Sequence, residues 1–237
     1  MEEQRTQTEA VQYVKKNKKD IIGKFSNLKE FPPEKYPFTI LMAGSPGAGK
    51  TEFSLTLIKE LYQENPESKI VRIDADEIKE AIPFYNGKNS YIVQKAAIKG
   101  VEVIIDHVHH NYQNALIDGT FAHYATSIKN IARSVKYNRP VKIYYLYLDP
   151  RIAWDFTRKR ELLEGRPITK KDFINVFFLA KDNVNNAKKQ FGKAIDLNVV
   201  IKDIDNPKKI KLHLDINNVD SYITIGYNAE QLNKILI

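Results

Sequence analysis

The sequence predicts an α/β fold built on a mainly parallel sheet with helices on both faces. Three observations carry that prediction. Short apolar runs alternate along the chain with amphipathic stretches long enough to cross over a sheet. One such run, Phe38–Ala43, leads straight into Gly44-Ser-Pro-Gly-Ala-Gly-Lys-Thr51, the pattern G-x-x-x-x-G-K-[ST]. At 237 residues, 43% hydrophobic and 28% charged, the chain has the composition of an ordinary soluble α/β domain.

Taken in order, residues 1–30 read as one or two charged helices, and Phe31-Pro-Pro-Glu-Lys-Tyr-Pro37 as an extended lead-in, because the residue before each proline avoids the helical region. Phe38–Ala43 is the first strand, and the helix after the loop begins at Glu52. Ile70–Ile73 is a second strand that ends in Asp74-Ala-Asp76, ahead of a short helical stretch from Glu77 to Ile82. A long helix is expected over about 90–111. Asn114–Asp118 is a third strand, stopped by Gly119-Thr120, and a helix follows near 125–136. Val141–Leu148 is the most apolar strand; Asp149-Pro150 then supplies an N-cap and a proline at the first helical position. Helices are expected at about 151–163 and 170–191, short strands near 197–202 and 209–215, and a last helix near 229–236. The chain thus divides into an N-terminal helical extension, 1–35, and a catalytic domain, 36–237, with a small strand and helix appendage after about 195.

The loop carries the most specific chemistry. Gly44, Gly47 and Gly49 have no Cβ, so Gly44, Ser45, Pro46, Gly47, Ala48 and Gly49 can turn tightly and aim successive backbone N–H groups into one concavity. The following helix adds its unpaired N–H groups and the positive end of its dipole. Lys50 then reaches the β- and γ-phosphates of a nucleoside triphosphate, and the Thr51 hydroxyl ligates Mg²⁺. The chain is therefore expected to bind ATP and Mg²⁺ as a P-loop NTPase-type protein.

In parallel sheets ligands bind at the carboxyl ends of the strands. Asp74 and Asp76, and Asp118 and Thr120, fall at such ends. At least one of Asp74 and Asp76 is expected to have a catalytic or Mg²⁺-associated role, the other reading being a helix cap. Asp118 is placed to hold Mg²⁺ through water or to bind an acceptor. On the helix after Asp149, Ile152, Phe156 and Leu163 mark an inward stripe; Arg160 shares that face and Arg158 points away. With Arg166 in the loop Glu164-Gly-Arg-Pro167, Arg160 forms the pair of guanidinium groups that a kinase lid closes on a transferring phosphoryl group.

Other classes fit less well. Asn17-Lys-Lys-Asp20 has the letters of a guanine reader but precedes the loop, and strand three closes in Asp-Gly rather than the Asp-Glu of a motor ATPase. The net charge of +8 is mostly scattered lysine, and the runs Lys15–Lys19 and Lys208-Lys209 lack interleaved aromatics, so nucleic acid is not an expected partner. Cysteine is absent, the N-terminus lacks a signal-peptide pattern, and no apolar run approaches the roughly 20 residues of a membrane span, so a soluble cytoplasmic protein is expected. His107-Val-His-His110 lies on the long helix without a companion carboxylate, and the tyrosines at 144, 145 and 147 read as core and its edge.

The ordered set Gly44–Phe53, Arg72-Ile-Asp-Ala-Asp-Glu-Ile78, Leu116-Ile-Asp-Gly-Thr-Phe121, Arg158-Lys-Arg-Glu-Leu162 and Gly165-Arg166 resembles the zeta toxin family, over about residues 36–200. The family comprises the kinases of epsilon/zeta toxin–antitoxin systems. The resemblance implies ATP-dependent phosphorylation of the 3′-hydroxyl of the amino sugar in UDP-N-acetylglucosamine, an epsilon-type antitoxin partner, and a kinase-like lid. It implies that Asp76 is the general base, that Lys50 and Thr51 serve ATP and Mg²⁺, and that Arg160 and Arg166 clamp the γ-phosphate. Asp74, Asp118 and Thr120 would then lie on the acceptor side. The best-known members have Glu where this chain has Asp118, and place an Arg shortly after the Gly-Thr, where Phe121-Ala-His123 follows here. A kinase of another small acceptor, such as an antibiotic or a dinucleotide, and a nucleotide-dependent switch are the other readings. Residues 1–30 precede the first core strand and carry no motif, so they are expected to be dispensable for catalysis.

Overall fold

A computed structural model describes residues 2–164, 167–203, 205–206 and 209–237. Its centre is a six-stranded sheet, β1 (Thr39–Ala43), β2 (Ile70–Asp74), β3 (Asn114–Asp118), β4 (Val141–Tyr147), β5 (Ile195–Lys202) and β6 (Ile210–His213), in the order β2-β3-β1-β4-β5-β6. The first five strands are parallel; β6 returns antiparallel to β5. β5 pairs with β4 along its length and buries Leu197, Val199 and Val200, so it belongs to the central sheet.

Alternation along the strands divides two cores. Ile40 and Met42 of β1, with Leu116, Tyr144, Leu146 and Val200, pack under α3 (Lys50–Glu64), α7 (Pro150–Glu164), one side of α8 (Lys170–Phe191) and α9 (Ala229–Ile235). Leu41, Ala43, Ile143, Tyr145 and Val199 face the other way, against α6 (Tyr124–Lys136) and the opposite side of α8. On that second face, α4 (Ala75–Glu80) and α5 (Ser90–His110) cover β2 and β3 through Ile78, Ile104 and Val108. Tyr144 and Tyr145 are core residues, as the sequence predicts.

The register fixes the functional end. β2 and β3 pair so that Asp74 stands beside Asp118, and Arg72 beside Leu116. Leu116 lies in the core under α3, so these polar side chains leave the sheet on the face where the phosphate-loop helix lies.

α1 (Glu2–Lys16) and α2 (Lys18–Phe25) pack on α5, burying Ala10, Val14 and Ile21 against Val93, Ala97 and Val108. Gln113 ties this layer to the sheet by donating to the carbonyls of Ser26 and Phe31. A chain beginning near Phe31 is therefore expected to lose stability. Exposing the partners of Val14 and Ile21 alone costs about 3–6 kcal/mol. A urea titration in which the shortened chain unfolds at the same midpoint as the full one would contradict this.

The opposite end of the sheet is pinned by buried polar groups. Arg139 donates to the Thr39 hydroxyl and to the carbonyls of Phe38 and Gln113, while burial lowers its pKa to about 10. His109 is a buried member of the same network, bonded to the Ile105 carbonyl and the Ser134 hydroxyl.

Candidate active site

β1 runs into the loop Gly44–Gly49, and α3 starts at Lys50 with Gly49 as its N-cap. No side chain caps that end of α3, so its first N–H groups are left to a ligand. Each of the three loop glycines sits where a Cβ would meet a neighbour; at Gly44, φ +134°, it would lie 2.5 Å from the Leu146 carbonyl oxygen. A Cβ at Gly47, whose φ is +72°, would lie 2.0 Å from the Ala153 carbonyl oxygen of α7. One at Gly49, φ +77°, would lie 2.0 Å from Lys202 Nζ. The Lys50 ammonium folds back to donate to the Gly44 carbonyl at 3.1 Å and the Ser45 carbonyl at 2.7 Å. Burial pushes its pKa down to about 8, against the attraction of Asp118.

Beside the loop opens a cleft of about 450 Å³ lined by Thr51, Arg72, Asp74, Asp76, Glu77, Glu80, Tyr85, Gly87 and Arg160. The two aspartates reach it by different means. β2 ends at Asp74, which caps α4: its Oδ1 accepts from the Asp76 backbone N–H at 2.8 Å. Asp76 sits in the first turn of α4, where its Oδ1 accepts from Lys79 Nζ at 2.9 Å. Lys79 is itself buried and also donates to the Ser90 hydroxyl at 2.8 Å, so α4 and the start of α5 hold the Asp76 carboxylate jointly. Arg160 Nη2 stands 3.9 Å from the other Asp76 oxygen.

Arg72 is the charge centre of the cleft floor. It donates to Asp74 Oδ2 and Asp118 Oδ2, each at 2.6 Å, and pairs with Glu77. Burial alone would lower the Arg72 pKa, but the Asp118 hydrogen bond and the charges of Asp118, Asp74 and Glu77 together raise it. Burial raises the pKa of Asp74 and Glu77. Asp118 also accepts from the Ser54 hydroxyl at 3.1 Å and is nearly buried. Asp118 and Thr120 are thus beside the cleft rather than on its lining; Thr120 accepts from Gly44 N–H through its carbonyl and from Ala122 N–H through its hydroxyl. The segment after Thr120 has a packing role: Phe121 takes φ +64° to enter the core, and Asn183 holds its carbonyl.

Replacing Arg72 by Leu leaves the Asp74 and Asp118 carboxylates side by side without their cation. A stability loss of about 3–5 kcal/mol is expected. Without the guanidinium charge that now lowers it, the Asp74 pKa would rise further, so the loss should shrink as pH falls through the carboxylate range. Urea denaturation at neutral and acidic pH reads this; a loss below about 1 kcal/mol would show that the ion pairs carry little.

The face assigned to α7 needs correction. Phe156 is 42% exposed and lies off the inward stripe, which is made by Ala153, Trp154 and Thr157. Arg160 reaches the cleft from the helix flank instead. Arg158 lies over the Trp154 ring and pairs with Glu161. Arg166 and the side chain of Leu163 lie outside the described residues, and so does the tip of the expected lid.

Among the site residues that escaped the sequence reading are Arg72, Lys79 and Lys202. Each had a positional signal. Arg72 is two residues before Asp74 on one strand face, Lys79 three after Asp76 on a helix, and Lys202 the last residue of a strand whose carboxyl end faces the site.

Residues 23–217 match the family model described as Zeta toxin. Among solved structures, the chain is similar to one from the PezAT chromosomal toxin–antitoxin system of Streptococcus pneumoniae, with TM-score 0.63 and 21% identity over 97% of this chain and 87% of that one. It is also similar to the AvrRxo1-ORF1:-ORF2 complex with ATP (TM-score 0.62, 10% identity, 94% and 72% covered). The Pnkp1/Rnl/Hen1 RNA repair complex is a third likeness (TM-score 0.51, 16% identity, 84% and 55% covered). At these identities the structural likeness is one of fold. Among the described residues no helix is long and apolar enough to cross a membrane.

Proposed function

Because the chain belongs to the zeta toxin family, we propose that it is an ATP-dependent kinase that phosphorylates a hydroxyl of a sugar nucleotide, UDP-N-acetylglucosamine being the acceptor the family implies. The observation that carries this reading is the meeting of the phosphate loop and the Asp74/Asp76/Arg160 cleft at Thr51, on one face of the sheet. A phosphoryl group bound by the loop at that residue is presented directly to the carboxylates.

Phosphoryl transfer needs positioning and charge compensation more than covalent chemistry. The loop N–H groups and Lys50 gather the β- and γ-phosphate charge. Asp76, held by Lys79, accepts the acceptor hydroxyl's proton as that oxygen attacks phosphorus, and ADP leaves. Arg160 is close enough to Asp76 to follow the phosphoryl group between loop and acceptor. Arg166 is proposed as its companion. The site suits Mg²⁺, an ion that keeps most of its waters and needs few protein oxygens: the Thr51 hydroxyl opens on the cleft beside carboxylates. When bound, Mg²⁺ would neutralise charge across the β- and γ-phosphates, with Thr51 as its protein ligand. Asp74 and Arg72 keep the acceptor side in shape, and Asp118 and Thr120 support it from beneath.

One observation favours a second reading of the acceptor. Asp74, Asp76, Glu77 and Glu80 outnumber Arg72 and Arg160 on the lining, a balance better matched to a cationic or neutral polyol, such as an antibiotic, than to a diphosphate lying in the cleft. Incubation with ATP-Mg²⁺ and a panel of sugar nucleotides and aminated sugars, read by mass spectrometry, separates the two. ADP release that no small acceptor stimulates would refute both and leave the nucleotide-dependent switch. An antitoxin protein is the proposed partner, on the strength of the family and of the fold shared with the PezAT toxin–antitoxin system, and the cytoplasm is the proposed compartment.

A further inference from the structure

Lys202 is the last residue of β5, and the mechanism above leaves it unused. Its register with Ile210, next to the Val200–Leu212 pair, puts it on the sheet face that carries Val200 and the loop helix. Its side chain crosses to the phosphate loop, where Nζ stands 3.4 Å from the Gly49 carbonyl oxygen. The ammonium fills the space that any side chain at residue 49 would need. The Glu52 carboxylate borders the same space, its Oε2 3.3 Å from the Cβ position of residue 49. Burial lowers the Lys202 pKa, with Glu52 opposing.

The position relative to the cleft gives this lysine a direction. Thr51, Asp74 and Asp76 define the acceptor side, toward β2 and β3. A triphosphate with its γ-phosphate at that end must run its α-phosphate and nucleoside the other way, toward β4 and β5. That is where Lys202 meets the loop. A partly desolvated ammonium attracts a phosphate more strongly than an exposed one.

We propose that Lys202 is a second nucleotide-binding lysine, holding the α-phosphate end of ATP while Lys50 serves the β- and γ-phosphates. Glycine at 49 is required by the turn, φ +77°, and leaves room for the lysine to reach the loop. The proposal rests on the reading of the loop as an ATP site.

Equilibrium titration of the full-length protein with a fluorescent ATP analogue, competed by ADP, AMP and adenosine, tests it. Lys202→Met should weaken ATP, ADP and AMP alike by about tenfold. AMP is the telling ligand, since it carries only the phosphate assigned to Lys202. Adenosine should bind unchanged, Lys202→Arg should recover most of the affinity, and Glu52→Gln should not weaken binding. Nucleotide affinities unaffected by Lys202→Met would overturn the proposal. So would an equal loss for adenosine, or a matching loss of thermal stability in Lys202→Met and Glu52→Gln, which would make Lys202 a structural pin for Glu52. If the wild type binds no ATP, the kinase reading falls and takes this role with it; if it binds ATP and Lys202→Met binds equally well, only this role falls.

Discussion

Lys50→Ala is expected to remove phosphoryl transfer, a loss of about 10³-fold or more, while leaving the fold intact. The fold should survive because, among the described residues, the Lys50 ammonium donates only to the Gly44 and Ser45 carbonyls, both on the loop it belongs to. Transfer should not survive, because no cation described nearby takes the place of Lys50 between the β- and γ-phosphates: Arg72 is committed to the acids of the cleft floor, Lys202 to the far end of the loop, and Arg160 stands at Asp76 on the acceptor side. Circular dichroism and ADP release together read this, and a variant with normal turnover would remove the kinase mechanism. If the toxin reading holds, expression of the wild type slows bacterial growth and expression of the variant does not. Growth at the normal rate with soluble, active wild-type enzyme would remove the toxin reading and spare the kinase.

The same lysine gives a pH dependence. Its pKa in the free protein is lowered from 10.5 to about 8 by burial. The buried charge therefore costs stability below about pH 8, and that cost fades as pH rises from there toward 10.5. A bound triphosphate favours the charged form, so nucleotide binding takes up a proton across this window. The thermal stabilisation conferred by ATP should shrink as pH rises above about 8, and in Lys50→Ala that pH dependence should weaken, leaving the part owed to Lys202.

Much of this was legible from local pattern. The loop, the six strands and the long helices follow from apolar periodicity, Asp149-Pro150 and the glycines, all signals contained within a few residues. The placement of Asp74 and Asp118 side by side required the register of β2 on β3, which no single stretch of sequence encodes. Arg72 was visible as a residue but its three partners come from β2, α4 and β3, so its role exists only after the sheet has assembled. Phe156 misled for a different reason. A large aromatic on a helix reads as core, yet α7 meets the loop through Ala153 and Thr157, where the close approach of Gly47 demands small side chains. Lys202 lies more than 150 residues from the glycine it touches, a contact made by the sheet alone.

The second large effect concerns the proposed base. Asp76→Asn keeps the shape of the side chain and an oxygen for the Lys79 ammonium, but it cannot accept a proton at neutral pH. Transfer should fall by roughly 10²–10⁴-fold while ATP binding is retained. Asp74→Asn should cost less, because the amide oxygen can still cap the Asp76 N–H, and what is lost is one of the charges on Arg72. Both variants must be compared at matched stability, since a weakened cap can itself cost about 1 kcal/mol. Lys79→Met supplies a third arm. It leaves the Asp76 carboxylate in place without its buried anchor, so kcat should drop and the affinity for ATP should not, with partial recovery in Lys79→Arg. A dead Asp74→Asn beside a near-normal Asp76→Asn would transfer the base to the strand end. If both turn over normally, β2 and α4 do not supply the base. Asp118 would then have to act from within its bonds to Arg72 and Ser54, and Arg72→Leu, by freeing it, would speed transfer rather than slow it.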